Sequence, residues 1–271
     1  YGDAWLLMRP LAYTLHPYQW PTIGKDISHI EEAGLDDVKK FFFNHYAPNN
    51  AILVIAGNIS SKNARRLTRQ WFSGIEKRTV PPGNYLQEPK QESERRKTVQ
   101  RNVPFDAIYK AFHMCRRGDE NFYISDIISD ILANGKSSRL YQHLVQEQGL
   151  FSELNAFLTG NIDPGLFVVA GKLIKGVEME RAEAEIMKEL EKLKHDPVPE
   201  RELNKVKNRI ESSLVLEETN ILSKAMSLAF HELLGDAANI NVEVKKYQCV
   251  TGEQIAGVAR ELFDHTNCST L

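Results

Sequence analysis

Asn134-Gly-Lys-Ser-Ser-Arg139-Leu-Tyr-Gln-His-Leu144-Val-Gln-Glu-Gln-Gly149-Leu-Phe-Ser-Glu-Leu154-Asn-Ala-Phe157 is the stretch from which the rest of the chain can be read. Gly135 and the Ser137/Ser138 pair have loop and N-cap chemistry, since a short hydroxyl side chain can satisfy a free N–H at a helix start. Leu140, Leu144 and Val145 then recur at helical spacing, and Gly149 supplies a left-handed stop. From Leu150 onward, Leu150, Ser152, Leu154, Ala156 and Leu158 alternate with Phe151, Glu153, Asn155 and Phe157, which predicts a strand with one face on a core. A short helix therefore feeds directly into a sheet.

The 271 residues, 42% apolar and 26% charged, suffice for one large core or two ordinary ones. With 34 basic against 36 acidic side chains, the net charge of −2 gives nucleic acid or an anionic membrane no bulk attraction. No run of apolar residues is long enough for a membrane-spanning helix. Cys115, Cys249 and Cys268 are odd in number and lack C-x-x-C spacing, so they are expected as buried free thiols. Both ends read as cut: the chain starts at Tyr1 and closes with Ser269-Thr270-Leu271 on the opening of a strand.

Outward from the opening stretch, residues 1–25 predict a helix end and a Pro/Gly-broken loop. A helix is expected from Gly34 or Asp36 to about His45, with Val38, Phe41 and Phe42 inward and Pro48 as its breaker. The continuous run Ala51–Ala56 predicts a central strand covered on both faces, and Ser60 or Ser61 caps a helix that buries Ala64, Leu67, Trp71 and Phe72. Residues 78–97, rich in Pro and then in charge, have the composition of a solvated linker. Strands follow at Thr98–Pro104, Ala107–His113 and Phe167–Leu173. Helices are expected at Phe122–Leu132, Val177–Lys194, from Pro199 on, over Asn220–Leu234 and after the cap Thr251.

An internal repeat is visible at a fixed offset. Asp36-Asp37-Val38, Phe41, Phe42, Tyr46 and Asn50 align with Glu253-Gln254-Ile255, Val258, Ala259, Phe263 and Asn267. Helix, aromatic, Asn and strand recur, so the chain is expected to hold the rear of one domain and most of a second.

Two sets of motifs together resemble the insulinase-type (pitrilysin family) zinc peptidases and the related mitochondrial processing peptidases. His16-Pro17-Tyr18, Ile23-Gly24, Tyr46, Pro48, Asn50 and Gly57-Asn58 match the family's first domain after its zinc site, and Ser138-Arg139-Leu140, Leu144, Gly149 and Leu150 match its second. The resemblance implies an α+β fold of two-layer sandwiches, each an antiparallel-rich sheet with helices on one face. It implies that residues 1–77 are the C-terminal part of a first peptidase-like domain, 78–97 a linker, and 98–271 a second, non-catalytic domain cut short at its C-terminus. It also implies zinc in the parent protein, a peptide substrate, and pairing as a homodimer or as a heterodimer with a second peptidase-like subunit. Where the family often carries an Arg and a Tyr that touch substrate, this chain has Val145 and Ser152. Val145 cannot donate a hydrogen bond and Ser152 is short.

The family's chemistry needs His-x-x-Glu-His, two metal-binding imidazoles one helical turn apart with a Glu to accept a proton. None of the eight His has another four residues on, so zinc is expected outside this fragment. His29 with Glu31 and Glu32 reads either as a partial metal site or as a solvated helix entrance. The loop from Asn134 to Arg139 reads either as a wall of a substrate groove or as helix capping. The function expected is the substrate-enclosing, non-catalytic part of a zinc endopeptidase, the alternative being an inactive structural or binding subunit on the same scaffold.

Overall fold

The alternating and the continuous apolar runs of residues 98–271 meet in one sheet. In the computed structural model, which describes residues 1–83 and 85–271, α1 (Ala4–Ala12) is followed by α2 (Ser28–Glu31), α3 (Leu35–His45) and α4 (Ser61–Phe72). Next come β1 (Arg95–Arg96), β2 (Ala107–His113), α5 (Glu120–Ala133), β3 (Phe151–Leu158), β4 (Leu166–Leu173) and α6 (Met179–His195). The chain closes with α7 (Glu200–Glu217), α8 (Ile221–Leu233), α9 (Glu243–Gln248), α10 (Gly252–Leu262) and β5 (Cys268–Thr270). The strand order is β1-β5-β2-β4-β3, antiparallel except for the β1–β5 pair.

The chain packs as two compact units. One comprises Tyr1–Pro21, Leu86–Glu211 and Val244–Leu271, and the other Thr22–Tyr85 and Ser212–Glu243. In the first unit, alternate residues of β2 serve opposite faces. Phe112 and its partner Phe167 both meet the ring of Phe263, which follows α10, at centroid distances of 5.2 Å. Ala111 and its partner Val168 instead join Met8, Ala12 and Tyr13 of the α1 region. The helical layer of α5, α6 and α10 thus covers one face, and α1 lies against the other. Both sets are buried, as a period-two strand between two apolar layers requires.

Lys110, 2% exposed, sits in this sheet because its charge is matched. Its Nζ donates to Glu183 Oε1 at 2.6 Å and to Thr270 Oγ1 at 2.9 Å, while Arg96 donates to both oxygens of the same carboxylate at 2.6 and 2.9 Å. The second half of the charged run 78–97 is tied to the same unit. Glu88 accepts from the backbone N–H of Thr14, Leu15 and His16 at 2.7–2.9 Å. The buried Gln91 donates to the carbonyls of Thr266 and Cys268, and Arg95 donates to those of Leu11 and Ala12. Asn84, inside the expected linker, lies outside the described residues. Thr98–Pro104, expected as a strand, forms none.

The second unit holds one copy of the repeat, and the correspondence extends to hydrogen bonds. α3 and α10 begin and end 217 residues apart, as do the 3₁₀ turns Pro48–Asn50 and His265–Asn267. In each copy the third helical side chain accepts from the N–H just before the helix, Asp37 from Gly34 and Gln254 from Thr251. In each, the Asn donates to the carbonyl of the last helical residue, Asn50 to His45 at 2.8 Å and Asn267 to Leu262 at 2.9 Å. Immediately after this Asn the copies diverge. Cys268–Thr270 enter the sheet as β5, whereas Ala51–Ala56 form no strand and Ile52, Leu53 and Ile55 are exposed. An apolar run becomes a strand only where neighbours complete its ladder, and here none does. The stripes expected to be buried on α3 and α4 are likewise open: Phe41 is 59% and Trp71 69% exposed. Within this unit His231 Nε2 lies 3.1 Å from Glu243 Oε2, both side chains buried.

Candidate functional site

The opening stretch builds a loop, a helical turn and a bulged strand. After α5, Gly135 takes φ +89°, a conformation that suits glycine. Ser138 is buried, and its Oγ donates back to the Gly135 carbonyl at 2.7 Å. The expected cap is therefore reversed: the hydroxyl closes the loop rather than accepting from the helix. Gln142 Nε2 donates to the Lys136 carbonyl.

Tyr141–Glu147 winds wider than an α-helix, with the Gln148 N–H donating to the His143 carbonyl five residues back. Leu144 is fully buried and Val145 half-buried. His143 Nδ1 lies 2.9 Å from Glu189 Oε2 of α6, whose other oxygen accepts from Lys192 at 2.6 Å. Gly149, at φ +61°, makes the expected left-handed stop.

The strict alternation expected from Leu150 on is broken by a β-bulge. Phe151 pairs with Leu173 and Glu153 with Lys172, so Ser152 is the extra residue. Leu150, Phe151 and Leu154 are therefore buried while Ser152 is exposed, so the alternation shifts by one at the bulge. Ser152 is exposed, and its Oγ donates to the Lys172 carbonyl at 3.2 Å. Lys172 also pairs with Glu153 at 2.9 Å, and that hydrogen bond lowers the Glu153 carboxyl below its ordinary value. β3 is an edge strand of the sheet, preceded by Val145 and containing Ser152 at its bulge toward β4.

Three charged residues to which the sequence patterns assign no role hold the loop. Arg139 donates through Nε and Nη2 to the two oxygens of Glu202 at 3.1 and 2.7 Å. Lys205 Nζ donates to the Ser137 carbonyl and Oγ at 3.2 and 3.0 Å. Arg209 donates to the Asn134 carbonyl at 2.7 Å and pairs with Asp130. The signal is nonetheless present in the sequence: these charges recur at i, i+3 and i+7, beside the buried stripe of Leu203, Val206 and Ile210.

Other candidates do not form a centre. His29, Glu31 and Glu32 are exposed on or beside the short α2. Among the described residues, no three His, Cys, Asp or Glu side chains are grouped to hold a metal ion, so the side chains present do not fit zinc. Cys249 is exposed, contrary to the expectation of burial, because it follows α9 at the surface. Cys268 is buried and Cys115 partly so, and burial pushes the Cys115 thiol up to about 11. A cavity of about 280 Å³ lies between Leu7, Arg101, Val103, Ile108 and Leu271, and neither Val145 nor Ser152 lines it. No helix among the described residues is long and apolar enough to cross a membrane.

A bulged edge strand fed by a short helix, on a sheet backed by helices, defines a two-layer α+β scaffold. Residues 33–210 match the family described as Peptidase M16 inactive domain, and the chain belongs to that family. It is 26% identical to the zinc protease PqqE of Helicobacter pylori over 96% of this chain and 59% of that protein. Identity to the uncharacterized zinc protease YmxG of Bacillus subtilis is 24%, over 95% of this chain and 62% of that protein. The chain thus spans about three fifths of these relatives. Its fold superposes on a protease from Helicobacter pylori with a TM-score of 0.92 at 25% identity, over 99% of this chain and 66% of that one. A peptidase M16 inactive domain from Pseudomonas fluorescens gives 0.85 at 17% identity, over 98% of this chain and 63% of that one, which concerns the fold alone.

Proposed function

We propose that the longer protein containing this chain is an insulinase-type zinc endopeptidase, and that these residues form its non-catalytic, substrate-enclosing wall. The observation that carries this reading is that β3, the strand that holds the bulge at Ser152, lies at the edge of the sheet. An extended peptide can add to such an edge through main-chain hydrogen bonds, with side-chain pockets choosing the sequence. The zinc-protease names of the relatives support the same class. Zinc would activate water elsewhere in the longer protein.

On this reading residues 1–77 are the rear of the first domain and 98–271 the second. The uncovered apolar faces of α3 and α4, with Ala51–Ala56, are surface that the rest of the first domain packs upon. Val145 and Ser152 stand where an Arg fork and a Tyr hydroxyl would hold a peptide carbonyl, so this chain leaves that task to a different peptidase-like subunit in a heterodimer, since a homodimer partner carries the same two residues.

A second reading, an inactive subunit on the same scaffold, is favoured by the likeness to a chain of complex III2 from Candida albicans, with a TM-score of 0.84 at 16% identity. Peptide cleavage by the full-length protein, with and without a chelator, decides between the two. Chelator-sensitive cleavage by the full-length protein and none by residues 1–271 is expected. Zinc-dependent cleavage by residues 1–271 alone refutes the first reading, and a full-length protein that cleaves no peptide favours the second.

A further inference from the structure

We propose that one charged face of α7, formed by Glu202, Lys205 and Arg209, is a positioning device that sets the Asn134–Arg139 loop for peptide capture. The inference rests on the reading that this loop borders the substrate groove.

Spacings of three and four residues place the three side chains on one face of the helix. Each grips a different part of the loop, and in reverse chain order. Glu202 takes Arg139, Lys205 takes Ser137, and Arg209 takes Asn134 together with Asp130 at the end of α5. The helix is laced antiparallel along the whole loop.

Apart from these ties the loop is held by the bond from Gln142 to the Lys136 carbonyl and by those from Asn134 to Asp130. Asn134, Gly135, Lys136 and Ser137 are all exposed, so no apolar packing fixes their backbone. Two of the three ties end on main-chain carbonyls, those of Asn134 and Ser137, and so constrain the loop backbone itself. The third is bidentate and mostly shielded, with Arg139 14% and Glu202 19% exposed, the geometry in which an Arg–carboxylate pair is strongest. Gly135 permits the sharp turn, and Ser138 locks it from inside through its bond to the Gly135 carbonyl. The polar lace then selects one conformation from those that glycine permits. A pre-ordered loop binds peptide without first losing its own freedom, so the lace should act on capture rather than on bond cleavage.

The test uses Glu202→Gln and the double variant Lys205→Ala/Arg209→Ala, with Lys188→Ala, an exposed charge on α6, as control. Two readouts are taken on the full-length protein: amide hydrogen exchange, and steady-state cleavage of a fluorogenic peptide. Expected are exchange of the Ser138 amide, which is bonded to the Gly135 carbonyl, at least about tenfold faster with β4 amides unchanged, and KM raised about fivefold or more with kcat within about twofold. Lys188→Ala should change neither. Unaltered exchange in the loop overturns the lace. Faster loop exchange with unchanged KM overturns its role in capture while leaving the peptidase reading intact. Absence of cleavage by the wild-type full-length protein refutes the peptidase reading, and the capture role falls with it. Exchange then reports on the lace alone. A general loss of β4 protection in a variant marks unfolding, and Lys205→Met/Arg209→Met, which keeps side-chain bulk without a donor, then supplies the same two readouts.

Discussion

Replacing Glu183 with Gln should cost the first unit roughly 3 kcal/mol at neutral pH, and the cost should vanish in acid. Burial alone would raise the Glu183 carboxyl, but hydrogen bonds from Arg96 and Lys110 outweigh it and hold the group at about 2, against an ordinary value of 4.5. A depression of that size corresponds to roughly 3 kcal/mol of preference for the ionised form in the folded state. The sign follows from the direction: a depressed carboxyl stabilises the fold above its unfolded value and loses that contribution as pH falls from about 4.5 toward 2. In the variant, Lys110 keeps its bond to Thr270 but loses its closest anionic partner inside the sheet, the situation in which breaking a buried pair is costly. Urea unfolding followed by circular dichroism at several pH values between 7 and 3 measures the difference. The gap should be widest at pH 7 and narrow to roughly half by pH 3. Adding Lys110→Met, which removes the stranded charge, should recover at least half of it. A gap under about 1 kcal/mol at pH 7, one that does not change with pH, or no recovery in the double variant would refute the assignment of charge matching as the reason Lys110 is tolerated.

Gly171→Ala should destabilise by about 1–3 kcal/mol, read as a lower Tm, because its Cβ would stand 2.7 Å from side-chain atoms of both Phe151 and Leu154. Asn267→Ala removes bonds to the carbonyls of His113 and Leu262 and should cost about 1–3 kcal/mol in urea unfolding. Its counterpart Asn50→Ala breaks only the bond to His45 at an exposed site, so a smaller loss is expected. Burial raises the Glu88 carboxyl, but three backbone N–H groups and the Thr14 hydroxyl hold it below its ordinary value. The Thr14–His16 segment should therefore be protected near neutral pH and loosen as pH falls below the ordinary carboxylate range, and in Glu88→Gln it should exchange amide hydrogens faster already at neutral pH.

Much of this protein was legible in its sequence because the signals were local. The strands read at Ala107–His113 and Phe167–Leu173, the stop at Gly149, the caps at Ser60 and Thr251 and the 217-residue repeat all rest on short-range periodicity or capping chemistry. What failed were inferences about neighbours. Ala51–Ala56 and Cys268–Thr270 occupy equivalent places in the repeat, yet only the second has β1 and β2 beside it to complete a ladder.

The sequence by itself determined most of the helices, the central strands of the sheet and the family the chain belongs to, since capping, periodicity and motif order are properties of adjacent residues. Only the tertiary structure decided the bulge at Ser152, the matched charge around Lys110 and the lacing of α7 to the Asn134–Arg139 loop. These depend on which backbone and which charge stand opposite across space, and partners 63 or 73 residues apart leave no periodic trace in the chain.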